Sequence, residues 1–430
     1  MNAAQEYKFF DALETRDPAA REAALMAALP AQVAAAQGVP ALAGKLAGID
    51  AGAVTSRAAL QRLAVTRKGE LLERQQAGRG AAAKPWDPFG GFSAIGWRAT
   101  LAGRSAQRVY QSPGPIYEPE GTARDYWRTA RALYAAGFRA GDLVHNSFNY
   151  HLTPGAWMMD NGAQALGCTV FPGGVGNTEM QLQAMAELRA DAYAGTPSFL
   201  RILLEKATET GVALPTLKKA LVSAEAFPPS LRDWLAERGV AGYQAYATAD
   251  VGTIAYETSA RQGLVVDEGV IVEIVRPGSG EPVPDGEVGE VVVTVLNADY
   301  PLLRFGTGDL SAVLAGPCPS GRTNMRIKGW MGRADQTAKV RGMFVHATQV
   351  AEVLKRHAEI GRARLVVEGE MASDRMTLKL ECAGSAPAGL AEAVARSMRE
   401  LTKLRCDVLV LAPGSLPNDG KLIEDLRKYD

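Results

Sequence analysis

The 430 residues carry 47 basic and 47 acidic side chains, with a pI near 6.9, so the chain has no net field to draw nucleic acid or an anionic membrane surface. Cys168, Cys318, Cys382 and Cys406 are scattered without CxxC spacing, which excludes a disulfide framework or a zinc ribbon and fits a reducing cytoplasm. Met1 to Pro30 lacks the basic start and apolar core of a signal peptide and no run nears ~18 apolar residues, so a soluble, cytoplasmic protein with small-molecule or protein partners is expected.

At roughly 150 residues per domain, the length predicts two or three domains. Residues 7 to 78 read as alanine-rich amphipathic helices, with Leu25 and Leu29, Leu42 and Leu46, and Leu60 and Leu63 at helical spacing. From Asp125 helix and strand alternate. Tyr126 to Ala136 is predicted helical and Asp142 to Asn146 leads into a strand, with further strands at Cys168 to Phe171, Ala192 to Ala194, Lys219 to Ser223 and Gly242 to Tyr246. This is the rhythm of a helix-covered, mostly parallel sheet, whose functional loops belong at the C-terminal strand ends. Between about 263 and 315 the texture becomes antiparallel: Gly269 to Val275 and Glu290 to Leu296 flank a turn region rich in Gly and Pro.

After Asp335 a compact unit follows, with a helix beginning near Ala347, strands Ala363 to Glu368 and Met376 to Glu381, a helix Gly389 to Lys403 and a strand Asp407 to Leu411. The expected architecture is an α/β large N-terminal domain over 1–334, made of a helical cap (1–84), an α/β body (85–262) and a small β-subdomain (263–334), followed by a small α+β C-terminal domain over 335–430.

Four segments carry chemistry: Tyr246-Ala247-Thr248-Ala249-Asp250, Arg304-Phe305-Gly306-Thr307-Gly308-Asp309-Leu310, Gly332-Arg333-Ala334-Asp335 with Arg341-Gly342 behind it, and Leu416-Pro417-Asn418-Asp419-Gly420-Lys421. Their order and spacing resemble the adenylate-forming enzymes, and within them the phenylacetate-CoA ligases, over roughly residues 85 to 430. The resemblance implies the adenylate-forming fold, a mobile C-terminal domain, and an AMP-forming carboxylate-CoA ligase. ATP and an aromatic or small organic acid give an acyl-adenylate; CoA then gives the thioester.

Site roles follow from the same resemblance. Lys421 is the catalytic lysine, whose ammonium offsets charge on the attacking carboxylate and α-phosphate. Tyr246 is the adenine-stacking aromatic, with Ser223, Ala224, Glu225, Gln244, Ala245, Ala247 and Thr248 forming the rest of the nucleotide wall. Asp309 accepts the ribose hydroxyls, for which a carboxylate has the lone pairs, with Arg333 and Arg304 nearby in the pattern. Asp250 takes the place of the magnesium-binding glutamate and remains a hard oxygen ligand. Asp335 is the hinge, Arg341 and Gly342 face CoA, and Phe148, Tyr150, His151 and Gly174 shape the acyl pocket. ATP, Mg²⁺ and CoA are the expected cofactors, and the resemblance leaves a homodimer open.

Two departures qualify it. Where the family has a phosphate loop of Gly, Ser, Thr and Lys, this chain reads Ser112-Pro113-Gly114-Pro115-Ile116-Tyr117-Glu118-Pro119, with two prolines that lack N–H donors and a carboxylate in place of the lysine. Of a zinc set found in some relatives only Cys318 remains, so no zinc is expected. The altered loop keeps two alternatives open: an adenylating enzyme with a non-CoA acceptor, and a catalytically silent nucleotide- or acyl-CoA-binding homologue.

Overall fold

The computed structural model describes residues 8–80, 83, 86–97, 105–334, 337–340, 343–369, 375–382, 384, 386–417 and 421–426. The chain divides into two compact units, Met1–Thr307 with Ser311–Trp330, and Gly308–Leu310 with Met331–Asp430.

The first unit is built on an eight-stranded sheet. Thr169–Pro172, Leu143–Asn146, Ala192–Gly195, Lys219–Val222 and Ala241–Thr248 lie side by side and parallel, and Gly252–Glu257, Leu264–Val266 and Arg326–Ile327 extend it antiparallel. Helices Gly155–Leu166, Thr178–Glu187, Pro197–Thr210 and Pro229–Glu237 make the connections. Their ends follow local chemistry. For Pro197–Thr210, the Thr196 hydroxyl caps the N–H of Phe199 at 3.3 Å, Pro197 occupies the first turn and Gly211, at φ +70°, ends the helix in the left-handed region. The helix predicted from Tyr126 begins only at Ala130, because the Asp125 carboxylate takes the N–H groups of Thr129 and Ala130 at 2.9 and 3.0 Å.

The parallel strands run in spatial order 2-1-3-4-5 by sequence, so the chain reverses its winding direction between the first and third. Ligands of doubly wound sheets bind in the crevice at such a point, outside the carboxyl ends of the strands.

A second, four-stranded sheet joins Thr66–Arg67, Phe305–Ser311, Gly289–Val295 and Val270–Val275. The N-terminal helices pack into its core: Leu25, Leu29, Leu42 and Leu60 share one apolar cluster with Ile271, Val293 and Phe305. Each such leucine contributes on the order of 2 kcal/mol by leaving water. A two-stranded hairpin pairs Arg108–Ser112 with Ile116–Glu120.

In the second unit the sheet order is Asp407–Leu411, Arg375–Cys382, Ile360–Glu368, Ile423–Asp425. Helices Ala347–Arg356 and Leu390–Thr402 cover it, with Val350, Val353, Val394 and Met398 in its core. No helix among the described residues is long and apolar enough to cross a membrane.

Candidate functional site

Strand ends at the crevice gather the nucleotide-wall residues expected from sequence. Ser223 follows Lys219–Val222, and its hydroxyl donates to the carbonyl of Ala245 at 2.8 Å, tying two neighbouring strand ends together. Ala224 takes a left-handed φ of +68°, a conformation a non-glycine residue keeps only where its surroundings impose it. Glu225 accepts the N–H of Ser198 at 3.3 Å. Gln244 donates its backbone N–H to Glu257 at 3.1 Å, and that buried carboxylate is itself held by Arg232 at 2.7 Å and Arg261 at 3.1 Å. Tyr246 is half-buried, and its hydroxyl meets the Thr307 hydroxyl at 3.2 Å, while Thr307 donates to the carbonyl of Val291 at 2.9 Å. Thr248 caps the N–H of Val251 at 3.3 Å, closing the turn that presents Asp250.

Asp309 and Arg333 meet directly in the second unit. Their backbones form a bridge and the guanidinium lies 3.1 Å from the carboxylate. Gly308 permits the approach, since a Cβ there would fall 2.7 Å from an Arg333 nitrogen and its φ is +73°. Arg304, grouped with Arg333 in the sequence pattern, has a different task. It is buried, donates to Glu273 at 3.0 Å and satisfies the carbonyls of Gln61, Leu63 and Gly280, so it holds the sheet together and does not face a ligand.

Lys421 belongs to the second unit and is exposed, just before Ile423–Asp425, whose pairing with Ile360–Glu368 fixes the chain beside it; the Leu422 carbonyl accepts from Leu365 at 2.8 Å. Asp335, Arg341 and Gly342, and Asn418 to Gly420 of the lysine segment, lie outside the described residues.

The acyl-pocket candidates surround the winding switch. Phe148 is buried, and the Tyr150 hydroxyl accepts from Asn146 at 2.9 Å and donates to Asp160 at 3.0 Å, while its ring packs edge-on against Trp157 at 5.2 Å. Burial first, and then the Asp160 charge, pushes the Tyr150 phenol far up, so it stays a neutral donor. His151 is exposed. The buried histidine is His145, which sequence reading passed over: it stacks on Phe171 at 5.2 Å and meets the Gln181 amide at 2.7 Å. Burial holds its pKa below the ordinary value. Gln181 in turn donates to the carbonyls of Gly174 and Gly176 at 2.9 and 2.6 Å, so this pair sets the loop that carries Gly174.

The segment Ser112 to Pro119 is not an open glycine loop. Ser112 pairs with Ile116 and Tyr110 with Glu118, so the chain folds back in a tight hairpin around Pro113, Gly114 and Pro115. Glu118 is fully buried, accepts from the Ser112 hydroxyl with one oxygen and leaves the other without a hydrogen-bond partner. Burial, and next the nearby Asp250 charge, raises its carboxyl to about 8, so it carries its proton at neutral pH.

Asp250 itself is 5% exposed; one oxygen takes the Lys68 ammonium at 3.1 Å and the other is buried without a partner. A hard carboxylate oxygen with nothing else to bind suits Mg²⁺. The void on its Tyr126 and Tyr300 side is about 10 Å³, about one water molecule at most. Among the described residues no group of three or more His, Cys, Asp or Glu side chains is arranged to hold a metal ion.

Residues 129–295 match the model of the AMP-binding enzyme family. The chain is 30% identical over 423 residues to a phenylacetate-coenzyme A ligase of Thermus thermophilus, covering 89% of this chain and 90% of the relative. It is 27% identical over 325 residues to that of Escherichia coli, covering 70% of this chain and 74% of the relative. A crystal structure of an open conformation of 2-hydroxyisobutyryl-CoA ligase, in complex with 2-HIB-AMP and CoA, superimposes with a TM-score of 0.78 at 24% identity, covering 99% of this chain and 96% of that one; this likeness establishes the fold.

Proposed function

Because the chain belongs to the phenylacetate-coenzyme A ligase family, we propose that it is an AMP-forming carboxylate-CoA ligase, which activates an aromatic or small organic acid as its acyl-adenylate and transfers the acyl group to CoA. What supports the reading is Tyr246, set by Thr307 in the first unit, and, within the second unit, Asp309 joined to Arg333.

On this reading the Tyr246 ring takes the adenine face and Asp309 accepts the ribose hydroxyls, with Arg333 fixing the carboxylate. Lys421 brings its ammonium to the carboxylate and α-phosphate during attack, where a charge-assisted contact lowers the barrier most. Asp250, one of whose oxygens has no hydrogen-bond partner, would be the residue to hold Mg²⁺, which when bound would supply positive charge against the phosphates. Asp335 is the hinge between an adenylating and a thiol-accepting pose, and Arg341-Gly342 belong to the CoA side. Phe148, Tyr150 and the loop at Gly174 form the acyl pocket, and the flat aromatic surfaces favour an aromatic acid. A homodimer remains part of the proposal.

A second reading has one observation in its favour. The hairpin at Pro113 to Pro115 and the inward Glu118 remove the usual phosphate donors, as in a protein that binds AMP or an acyl-adenylate without turning over ATP. Exchange of labelled pyrophosphate into ATP, run with a panel of aryl and short-chain acids, separates the two. Acid-dependent exchange supports the ligase. Its absence for every acid, beside retained AMP binding, supports the silent homologue.

A further inference from the structure

We propose that an open cavity at the amino ends of the parallel strands, away from the crevice, is a second binding site of the first unit and takes an aromatic carboxylate.

The cavity measures about 670 Å³, within the range of small-molecule pockets, and its walls include Lys8, Phe9, Phe10, Tyr134, Arg139 and Leu166. Its place follows from the chain. Arg139 precedes strand Leu143–Asn146 and Leu166 ends helix Gly155–Leu166, so the cavity lies where that strand begins, whereas the crevice lies where the strands end. Near the other end of the same helix, Trp157 and Asp160 touch Tyr150 of the acyl-pocket candidates. Most of the length of a twelve-residue helix, ~18 Å in all, therefore separates the cavity from that pocket.

The walls are aromatic. The Phe10 ring meets Tyr134 edge-on at 5.7 Å and remains 39% exposed, so a flat ring laid against it would cover apolar surface now left in water. The charge is positive. The Arg139 guanidinium lies 3.8 Å from the Tyr134 ring centre and donates to the carbonyls of Tyr134 and Phe138 at 2.9 and 2.8 Å, which fixes a cation in the wall. The Lys8 ammonium stands 5.3 Å from the Phe9 ring centre and is engaged by no acidic side chain among the described residues. Asp11, the carboxylate of the lining, takes the N–H of Leu13 at 3.0 Å and pairs with Arg131 at 2.6 Å, so its charge is already offset. One ammonium without an acid, beside aromatic faces and a fixed guanidinium, matches a single carboxylate on an aromatic ring better than a polyphosphate or an aliphatic acid.

The test is photolabelling of the full chain with 4-azidobenzoate, followed by trypsin and mass spectrometry. Label is expected on the peptides 9–16 or 132–139, which carry Phe10 and Tyr134, and it saturates with dose. Excess benzoate suppresses it; benzamide, which keeps the ring and loses the charge, and hexanoate, which keeps the charge and loses the ring, each compete at least about fivefold less well. Lys8→Ala raises the dose for half-maximal labelling about tenfold, the scale of a lost charged contact, and Lys8→Arg stays within about twofold of the wild type. Label confined to other peptides, label that never saturates, benzamide or hexanoate competing as well as benzoate, or an unchanged dose in Lys8→Ala would overturn the proposal. None of these readouts needs turnover, so absent acid-dependent exchange, which would sink the ligase reading, leaves them standing.

Discussion

Replacing Glu118 by glutamine tests the electrostatics beside Asp250. The folded chain holds the Glu118 carboxyl near 8, against an ordinary value of 4.5, chiefly because the group is buried and secondarily because Asp250 is close. The folded state therefore binds an extra proton between those pH values, and stability falls as pH rises from about 4.5 through about 8. At about 1.4 kcal/mol per pH unit, the ceiling at pH 7 is about 3 kcal/mol; with Asp250 and Lys68 sharing the field, about 1 to 3 kcal/mol is expected. Glutamine still accepts from the Ser112 hydroxyl and has no charge to bury. Thermal melts in a pH series should show the Glu118→Gln variant and the wild type together at pH 5 and the variant several degrees higher at pH 8. A variant that melts lower by the same interval at every pH would show that Glu118 is ionised in the fold and refute the reasoning.

Three further outcomes follow from the site. Lys421→Ala should slow adenylation about a hundredfold to a thousandfold, the scale of a lost transition-state charge contact, while thioesterification of a supplied acyl-adenylate continues; separate half-reaction assays check it. Asp309→Asn should raise the KM for ATP about tenfold, since an amide presents one acceptor oxygen where the carboxylate presents two, and initial-rate kinetics read this directly. Arg304→Met leaves Glu273 buried without its cation and should cost about 3 to 5 kcal/mol by chemical denaturation.

The α/β body was legible because its strands and helices alternate with strong apolar patterning, and the observed Ala192–Gly195, Lys219–Val222 and Ala241–Thr248 fall close to the expected ranges. The candidate site residues were proposed one by one from their motifs, since each residue type suits the chemistry assigned to it. Long-range pairing was not. Thr66–Arg67 is two residues long and has no period of its own; only contact with Phe305–Ser311 makes it a strand. Arg304 stands near Asp309 in a recognisable segment, yet its partners Glu273, Gln61 and Leu63 are remote in sequence. His151 stood beside aromatics and drew attention, whereas the histidine that organises the loop is His145, and its signal was Gln181, 36 residues away. The inward turn of Glu118 followed from strand alternation in a hairpin, a register no local pattern specified.

The most direct test of the central claim is AMP and thioester formation from ATP and Mg²⁺, measured together across aryl and short-chain acids with and without CoA. The ligase reading predicts one acid class for which AMP and acyl-CoA appear in equal amounts and only when acid and CoA are both present. AMP without thioester, or no AMP with any acid, would contradict it.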